Sequence, residues 1–274
     1  MSSGSAFLRL RGLDNEEFLN SHYVVFATKR GIVKKTCLKA YSHPRSLGVN
    51  AINILEGDEV VDVRLTNGHN ELVLANRNGR AVRFNETAVR DMGRIATGVR
   101  GMILDGGDDE VVGMIVVNNA EEETIMVVSE NGYGKRSQVE DYRKTSRGTK
   151  GVKTLQITEK TGRLVAIKNV TDEHDLMIIN KSGIAIRLAV SECRVMGRAT
   201  QGVRLINLTK KNDVIASVCK VMGAELEANV EQLSRAEWAK KSEDIRHDMG
   251  NDTDVQEEPE NENPSTEDTT TGDV

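Results

Sequence analysis

The sequence predicts an all-β protein, a propeller-like array of four-stranded antiparallel units, and three observations carry that reading. Four segments share one grammar at a spacing near fifty residues, a second landmark follows each, and each period closes on a short β-branched run. Units of this size cannot bury their faces alone and must stack on their neighbours.

The first landmark is a hairpin. Val24-Val25-Phe26-Ala27-Thr28-Lys29-Arg30-Gly31, Leu72-Val73-Leu74-Ala75-Asn76-Arg77-Asn78-Gly79, Ile125-Met126-Val127-Val128-Ser129-Glu130-Asn131-Gly132 and Leu176-Met177-Ile178-Ile179-Asn180-Lys181-Ser182-Gly183 each place an apolar run before a polar step ending in Gly. The glycines are 48, 53 and 51 residues apart. Gly at such a step takes the positive φ that tight hairpin turns require. The second landmark is Gly-Val at 48–49, 98–99, 151–152 and 202–203, which follows the hairpin Gly by 17 residues in the first repeat and 19 in the others. The closing runs are Glu59–Val63, Glu110–Val112, Arg163–Ile167 and Asp213–Ala216. Each period therefore reads as four short strands.

The flanks read differently. Ser5–Arg11 resembles the last strand of a preceding unit, so the chain is expected to be a fragment whose earlier blades are absent, because an exposed blade edge is a liability. The predicted organisation is a remnant strand over 1–11, a four-blade domain over 12–222, a linker over 223–250 and a tail over 251–274. The linker is expected to carry a helix through Leu226, Val230, Leu233 and Trp238. The tail has nine acids and no Lys or Arg, so it is expected to be disordered.

Composition removes several function classes. Apolar runs such as Met114–Val117 and Leu176–Ile179 are strand-sized, far below the ~18 residues that span a bilayer. No secretory signal opens the chain, and Cys37, Cys193 and Cys219 form no disulfide or zinc pattern. A reducing, cytoplasmic setting without a membrane partner is expected. With 3% aromatic residues, a stacking platform for single strands is excluded. The net charge of -5 hides an asymmetry: residues 1–222 carry 33 Lys and Arg against 26 Asp and Glu, and residues 223–274 carry 4 against 16. A basic body beside an acidic tail points to a polyanionic partner that the tail can imitate.

Cations recur at fixed offsets. Four residues after each hairpin Gly stand Lys35, Arg83, Arg136 and Arg187, with Lys34 and Lys135 beside two of them. Before each Gly-Val stand Arg45, Arg94, Arg147 and Arg198; after it come Arg100, Lys153 and Arg204, with Lys150 close by. Repeat symmetry turns such cations into a regular outer ring able to follow a curved phosphate backbone without reading bases. The competing use is structural, as salt bridges between blades, and the strand context of the post-hairpin cations leaves both open. Glycines and threonines around Arg94 and Arg147 leave backbone N–H groups accessible to phosphate.

Other chemistry is thin. Gly132-Tyr133-Gly134-Lys135-Arg136 lacks nucleotide-loop spacing, Asp105–Glu110 lacks the ligand order of a calcium loop, and the five histidines form no metal pair. No catalytic set, metal or cofactor is expected in this chain.

The strings Gly31-Ile32-Val33-Lys34-Lys35-Thr36, Asn78-Gly79-Arg80-Ala81-Val82-Arg83-Phe84, Thr97-Gly98-Val99-Arg100-Gly101 and Asn131-Gly132-Tyr133-Gly134-Lys135-Arg136 closely resemble the C-terminal domain of the bacterial DNA gyrase A protein. The resemblance spans roughly residues 5–222. It implies a β-pinwheel, propeller-like with strands exchanged between blades, whose basic rim wraps duplex DNA. It further implies a type IIA topoisomerase in which ATP and Mg serve the full complex, and whose other parts, the gyrase A N-terminal region and the gyrase B subunit, are the partners. These four repeats match the last four of the family's six blades. The family's Q-R-R-G-G-K-G wrapping motif is absent, with Ser146–Gly151 a distant echo, so full wrapping and supercoiling are not expected of this chain alone. The alternatives are the counterpart domain of topoisomerase IV and a propeller used as a protein-interaction platform.

Overall fold

Short apolar runs separated by glycine turns satisfy their backbone groups by pairing with one another, and here they do so in four successive sheets. The computed structural model describes residues 6–43, 46–208 and 213–223. β1 (Tyr23–Thr28) and β2 (Ile32–Cys37) form the first hairpin, and β3 (Val60–Thr66) pairs on the other side of β1. The second hairpin is β4 (Glu71–Asn76) with β5 (Arg80–Asn85). β6 (Val99–Arg100) comes next, then β7 (Val111–Val117), which pairs with β4. The third unit has β8 (Thr124–Ser129), β9 (Tyr133–Gln138), β10 (Val152–Lys153) and β11 (Leu164–Val170). The fourth has β12 (His174–Asn180), β13 (Ala185–Ala189), β14 (Val203–Arg204) and β15 (Ile215–Met222).

The fourth strand of each sheet comes from the following repeat. β6 sits on β2, β10 on β5 and β14 on β9, giving sheets β3-β1-β2-β6, β10-β5-β4-β7 and β11-β8-β9-β14, whereas the last, β13-β12-β15, has three strands. Four strands per period is therefore right, but the Gly-Val strand is handed back to the preceding blade. Close approach explains its glycine. A Cβ on Gly98 would lie 2.6 Å from the Val33 carbonyl oxygen, and one on Gly151 only 2.2 Å from that of Ala81. Gly48 also has a positive φ, 79°, but nothing lies within 4 Å of such a Cβ; the same openness surrounds Gly183 in the last hairpin.

β3, β7, β11 and β15 lie successively against one another and form the inner edge of the array, so the exchanged strands form the outer edge. Leu72, Leu74, Val82 and Phe84 of the second sheet close on Val25 and Val33 of the first, all buried, and similar clusters fill the next two junctions. The core is thus made between repeats, as repeat stacking requires.

Three local features depart from expectation. Residues 6–11 form no strand; Ala6, Leu8 and Leu10 instead pack on the first-blade cluster around Phe26 and Leu38. A short helix, α1 (Glu16–Ser21), starts where the Asn15 side chain accepts the Phe18 N–H at 3.0 Å and Glu16 and Glu17 fill the first turn. A 3-10 turn comes after each second hairpin strand, at Leu38–Tyr41, Glu86–Ala88, Val139–Asp141 and Val190–Glu192. The expected helix and acidic tail fall on 224–274, outside the described residues.

Candidate nucleic-acid interface

A carbonyl oxygen has two lone pairs, and the first carbonyl of each of the last three 3-10 turns, which already accepts the N–H three residues on, is met by a post-hairpin cation as well. The Lys35 ammonium donates to the Glu86 carbonyl at 3.1 Å and stands 3.8 Å from its carboxylate. Arg83 donates to the carbonyls of Val139 and Tyr142 at 2.8 and 3.1 Å. Arg136 donates to those of Val190 and Cys193 at 3.0 and 3.4 Å and pairs with Asp172. In every case the cation of one repeat pegs the turn of the next, and all three cations are buried.

Lys34 and Lys135, both essentially unexposed, reach one loop further. Lys34 donates to the carbonyls of Ala51 and, at 2.7 Å, Arg94; Lys135 donates to that of Gly197 at 2.7 Å. Burial pushes both ammonium groups down to about 8. The expected outer ring is therefore corrected at Lys34, Lys35, Arg83, Lys135 and Arg136. Their strand positions face the inter-blade seam, where they hold the array together. Arg187, in the last repeat, has no following turn among the described residues; it pairs with Asp175 and donates to the Gly223 carbonyl while remaining partly exposed.

The loop arginines also have a mechanical use. Arg147 donates to the carbonyls of Ala88 and Arg100 at 2.8 and 3.0 Å, and Arg198 to those of Asp141 and Lys153 at 2.9 and 2.8 Å. Each fastens its loop to the preceding repeat with two of its donors. The Arg94 side chain makes no hydrogen bond or ion pair among the described residues, and Arg45 lies outside them. Lys150 pairs with Asp105 at 2.9 Å, a bond that holds the Asp105 carboxyl below its ordinary range. Arg204 donates to the Tyr133 hydroxyl at 2.9 and 3.2 Å and lies over its ring, which Lys160 also covers.

A different set stands free. The side chains of Arg100 and Lys153, on the exchanged outer strands, are exposed and unpaired among the described residues. So are Arg90, Arg143 and Arg194, which sequence reasoning missed. Each comes directly after the buried residue closing a 3-10 turn (Val89, Tyr142, Cys193) and stands eight residues before Gly98, Gly151 or Gly202. That constant offset was a readable signal. Because Arg147 joins Ala88 to Arg100, it draws the stretch carrying Arg90 towards Arg100; Arg198 does the same for Arg143 and Lys153. The third repeat is the most basic, with five Lys or Arg against two acids between Gln138 and Lys153.

These features define a class: a strand-exchanging, propeller-like repeat domain with free cations along its outer edge. The family model described as the DNA gyrase C-terminal domain, beta-propeller, matches residues 22–67, 70–118, 123–171 and 174–219, and the chain belongs to that family. It is 43% identical over 231 residues to the DNA gyrase A protein of Staphylococcus aureus (strain NCTC 8325 / PS 47), a match covering 84% of this chain and 25% of that protein. The chain thus spans about a quarter of the curated relatives it matches. Among solved structures, the C-terminal domain of DNA topoisomerase IV superposes with a TM-score of 0.71 at 30% identity, covering 80% of this chain and 68% of that one. A DNA gyrase A C-terminal domain gives 0.66 at 24%, covering 76% and 68%, a likeness of fold. Among the described residues no helix is long and apolar enough to cross a membrane, and no group of His, Cys, Asp and Glu is placed to hold a metal ion.

Proposed function

We propose that this domain binds duplex DNA through its phosphates, irrespective of sequence, and bends it along the outer edge of the array. The observation that carries the reading is the threefold recurrence of free, exposed cations at Arg90, Arg143 and Arg194, with Arg100 and Lys153 on the exchanged strands beside them. A regular series of point charges on a curved edge suits a backbone that is itself regular, and distributed contacts offset the several kcal/mol needed to bend stiff DNA. Few aromatic anchors stand exposed, which disfavours a protein-interaction platform.

In the full protein the domain would serve a type IIA topoisomerase. Its partners there would be the gyrase A N-terminal region and the gyrase B subunit, with ATP and Mg serving that complex and the bacterial cytoplasm its setting. Gyrase is favoured by the family model and by the 43% identity to the gyrase A protein of Staphylococcus aureus, although of the two solved domains the topoisomerase IV one is the more similar, at 30% against 24%. Wrapping of the sense that introduces negative supercoils is the finer proposal, and the missing wrapping motif limits this chain to binding and bending.

The test is duplex binding as a function of salt. A log–log slope of about -0.9 per contacted phosphate is expected, falling in magnitude by about 0.9 with each of Arg90→Ala, Arg143→Ala and Arg194→Ala. A slope near zero for the unmodified chain would remove the DNA reading.

A further inference from the structure

Each exchanged strand sets a cation directly opposite the first residue of the strand it joins. Arg100 faces Ile32, Lys153 faces Arg80 and Arg204 faces Tyr133. Two of these partners are neutral, and the Tyr133 hydroxyl accepts from the guanidinium that faces it. Only the second sheet opposes two cations. Opposite residues of an antiparallel pair share a face with their Cβ atoms about 5 Å apart, and like charges held there repel. Stacking of the repeats does not require this pair, since the flanking sheets are completed without one.

A third cation and one carboxylate complete the cluster. The Arg80 guanidinium donates to the Gly151 carbonyl at 3.3 Å, which holds its head beside the exchanged strand. The Asp105 carboxylate, from the loop after β6, stands 2.9 Å from the Lys150 ammonium and 3.7 Å from Arg80. Lys153 has no side-chain partner among the described residues. Three cations thus share one carboxylate. All three are open to solvent, the Arg80 and Lys150 side chains being 40% and 59% exposed. The set occurs once: at the matching offsets Thr97 and Gln201 stand where Lys150 does, and Thr158 where Asp105 does.

We propose that Arg80 and Lys153 together hold one phosphate of the bound duplex, and that Asp105 is a resident carboxylate competing with it for Arg80 and Lys150. A phosphate placed between the opposed heads accepts charge-assisted hydrogen bonds from both and removes their repulsion. In the free chain the Asp105 oxygens take the place of that anion beside two of the three cations. Drawing Arg80 away from Asp105 uses part of the binding free energy, so this edge grips the duplex less tightly than its charges alone would. The inference rests on the DNA-binding reading above. It adds Arg80 to the duplex path and gives that path a built-in competitor.

The experiment titrates the whole 274-residue chain onto a duplex of about 30 base pairs across a salt series. Arg80→Gln is expected to weaken binding about fivefold at low salt, and Arg80→Lys to restore most of the loss. Arg80→Gln with Lys153→Gln is expected to reduce the log–log slope by about 0.9 in all, because one phosphate is released. A reduction near twice that would mean separate phosphates and overturn the shared site. Asp105→Asn is expected to tighten binding about fivefold at low salt, a gain that damage to the fold does not produce. Asp108→Asn makes the same change in net charge three residues away, where the carboxylate pairs with Arg163 instead, and is expected to tighten binding less than about twofold. Equal gains from the two would overturn the competition. If the unmodified chain binds with the expected salt slope yet neither Arg80→Gln nor Asp105→Asn alters affinity, the phosphate site is wrong and DNA binding stands. If the unmodified chain does not bind the duplex, both fall.

Discussion

Arg83, Arg136 and Arg187 occupy one position in three successive repeats, yet the first two are buried pegs and the third is partly exposed. The difference lies in the neighbouring repeat downstream, because only the first two have a next 3-10 turn to cap among the described residues. Arg136→Met is expected to lower unfolding free energy by about 2–4 kcal/mol, since it removes buried donors to the Val190 and Cys193 carbonyls and to the Thr124 hydroxyl together with the Asp172 pair. Arg187→Met takes the cation from the buried Asp175 carboxylate but uncaps no turn, and is expected to cost less, about 1–2 kcal/mol. Urea unfolding of the two variants checks this, and equal losses would refute the peg assignment. Lys34 and Lys135 give a pH signature. Their native acidities near 8 lie below the ordinary lysine value, so between about pH 8 and 10.5 the unfolded chain holds more protons and stability rises with pH. Burial also lowers Lys168 and Lys220, which act in the same direction. Around Lys34, Arg94 lowers the pKa further and Asp91 opposes; around Lys135, Asp141 opposes and Arg198 assists. Lys34→Met with Lys135→Met should flatten the rise in a urea series between pH 7.5 and 10.5; an unchanged slope would count against these groups. The period of these cations was legible in the sequence, but their direction was not. A lysine at a given strand position carries the same letter whether it faces water or a neighbour's carbonyl.

Single elements show where local reading succeeded. The hairpins of Gly31, Gly79, Gly132 and Gly183 arise from apolar runs broken by a residue able to take positive φ, and the four strands per period were visible for the same reason. Their allocation to sheets was not visible, because strand hand-over is a non-local pairing between residues such as Val152 and Ala81, 71 positions apart. The 3-10 turns and α1 were missed because they are too short to show a helical period, although Asn15 with Glu16 and Glu17 offered a helix-start signal. The two-residue exchanged strands depend on their glycine. Gly151→Ala places a Cβ against the Ala81 carbonyl as well as straining φ at 71°, and is expected to cost about 3 kcal/mol or more and to detach β10. Gly48→Ala, with the same φ penalty and open space, should cost only about 1 kcal/mol. Hydrogen exchange on β5 alongside thermal melts would separate the two; similar losses would argue against close approach as the reason for the glycine.

At the scale of the whole molecule, the sequence pointed to DNA through charge, and the structure reassigns which charges are available. Most of the expected ring became internal fastening, while three unforeseen arginines stand at the surface. The third repeat, with its excess of cations, is expected to dominate affinity. Arg143→Glu with Lys153→Glu should weaken duplex binding more than Arg90→Glu with Arg100→Glu, by about tenfold at low salt, and alike on all sequences. Titrations on two unrelated duplexes would check both parts, and sequence-dependent losses would indicate base contacts in place of phosphate contacts.

The backward loan of strands has a consequence for how such an array can change in size. Excising one period removes a blade and also uncovers the flank of the blade before it, since β10 and β14 complete sheets encoded upstream of them. Adding or losing a unit therefore succeeds only where two flanks can be rejoined in matching register, much as overlapping roof tiles cannot be lifted singly without exposing the row beneath.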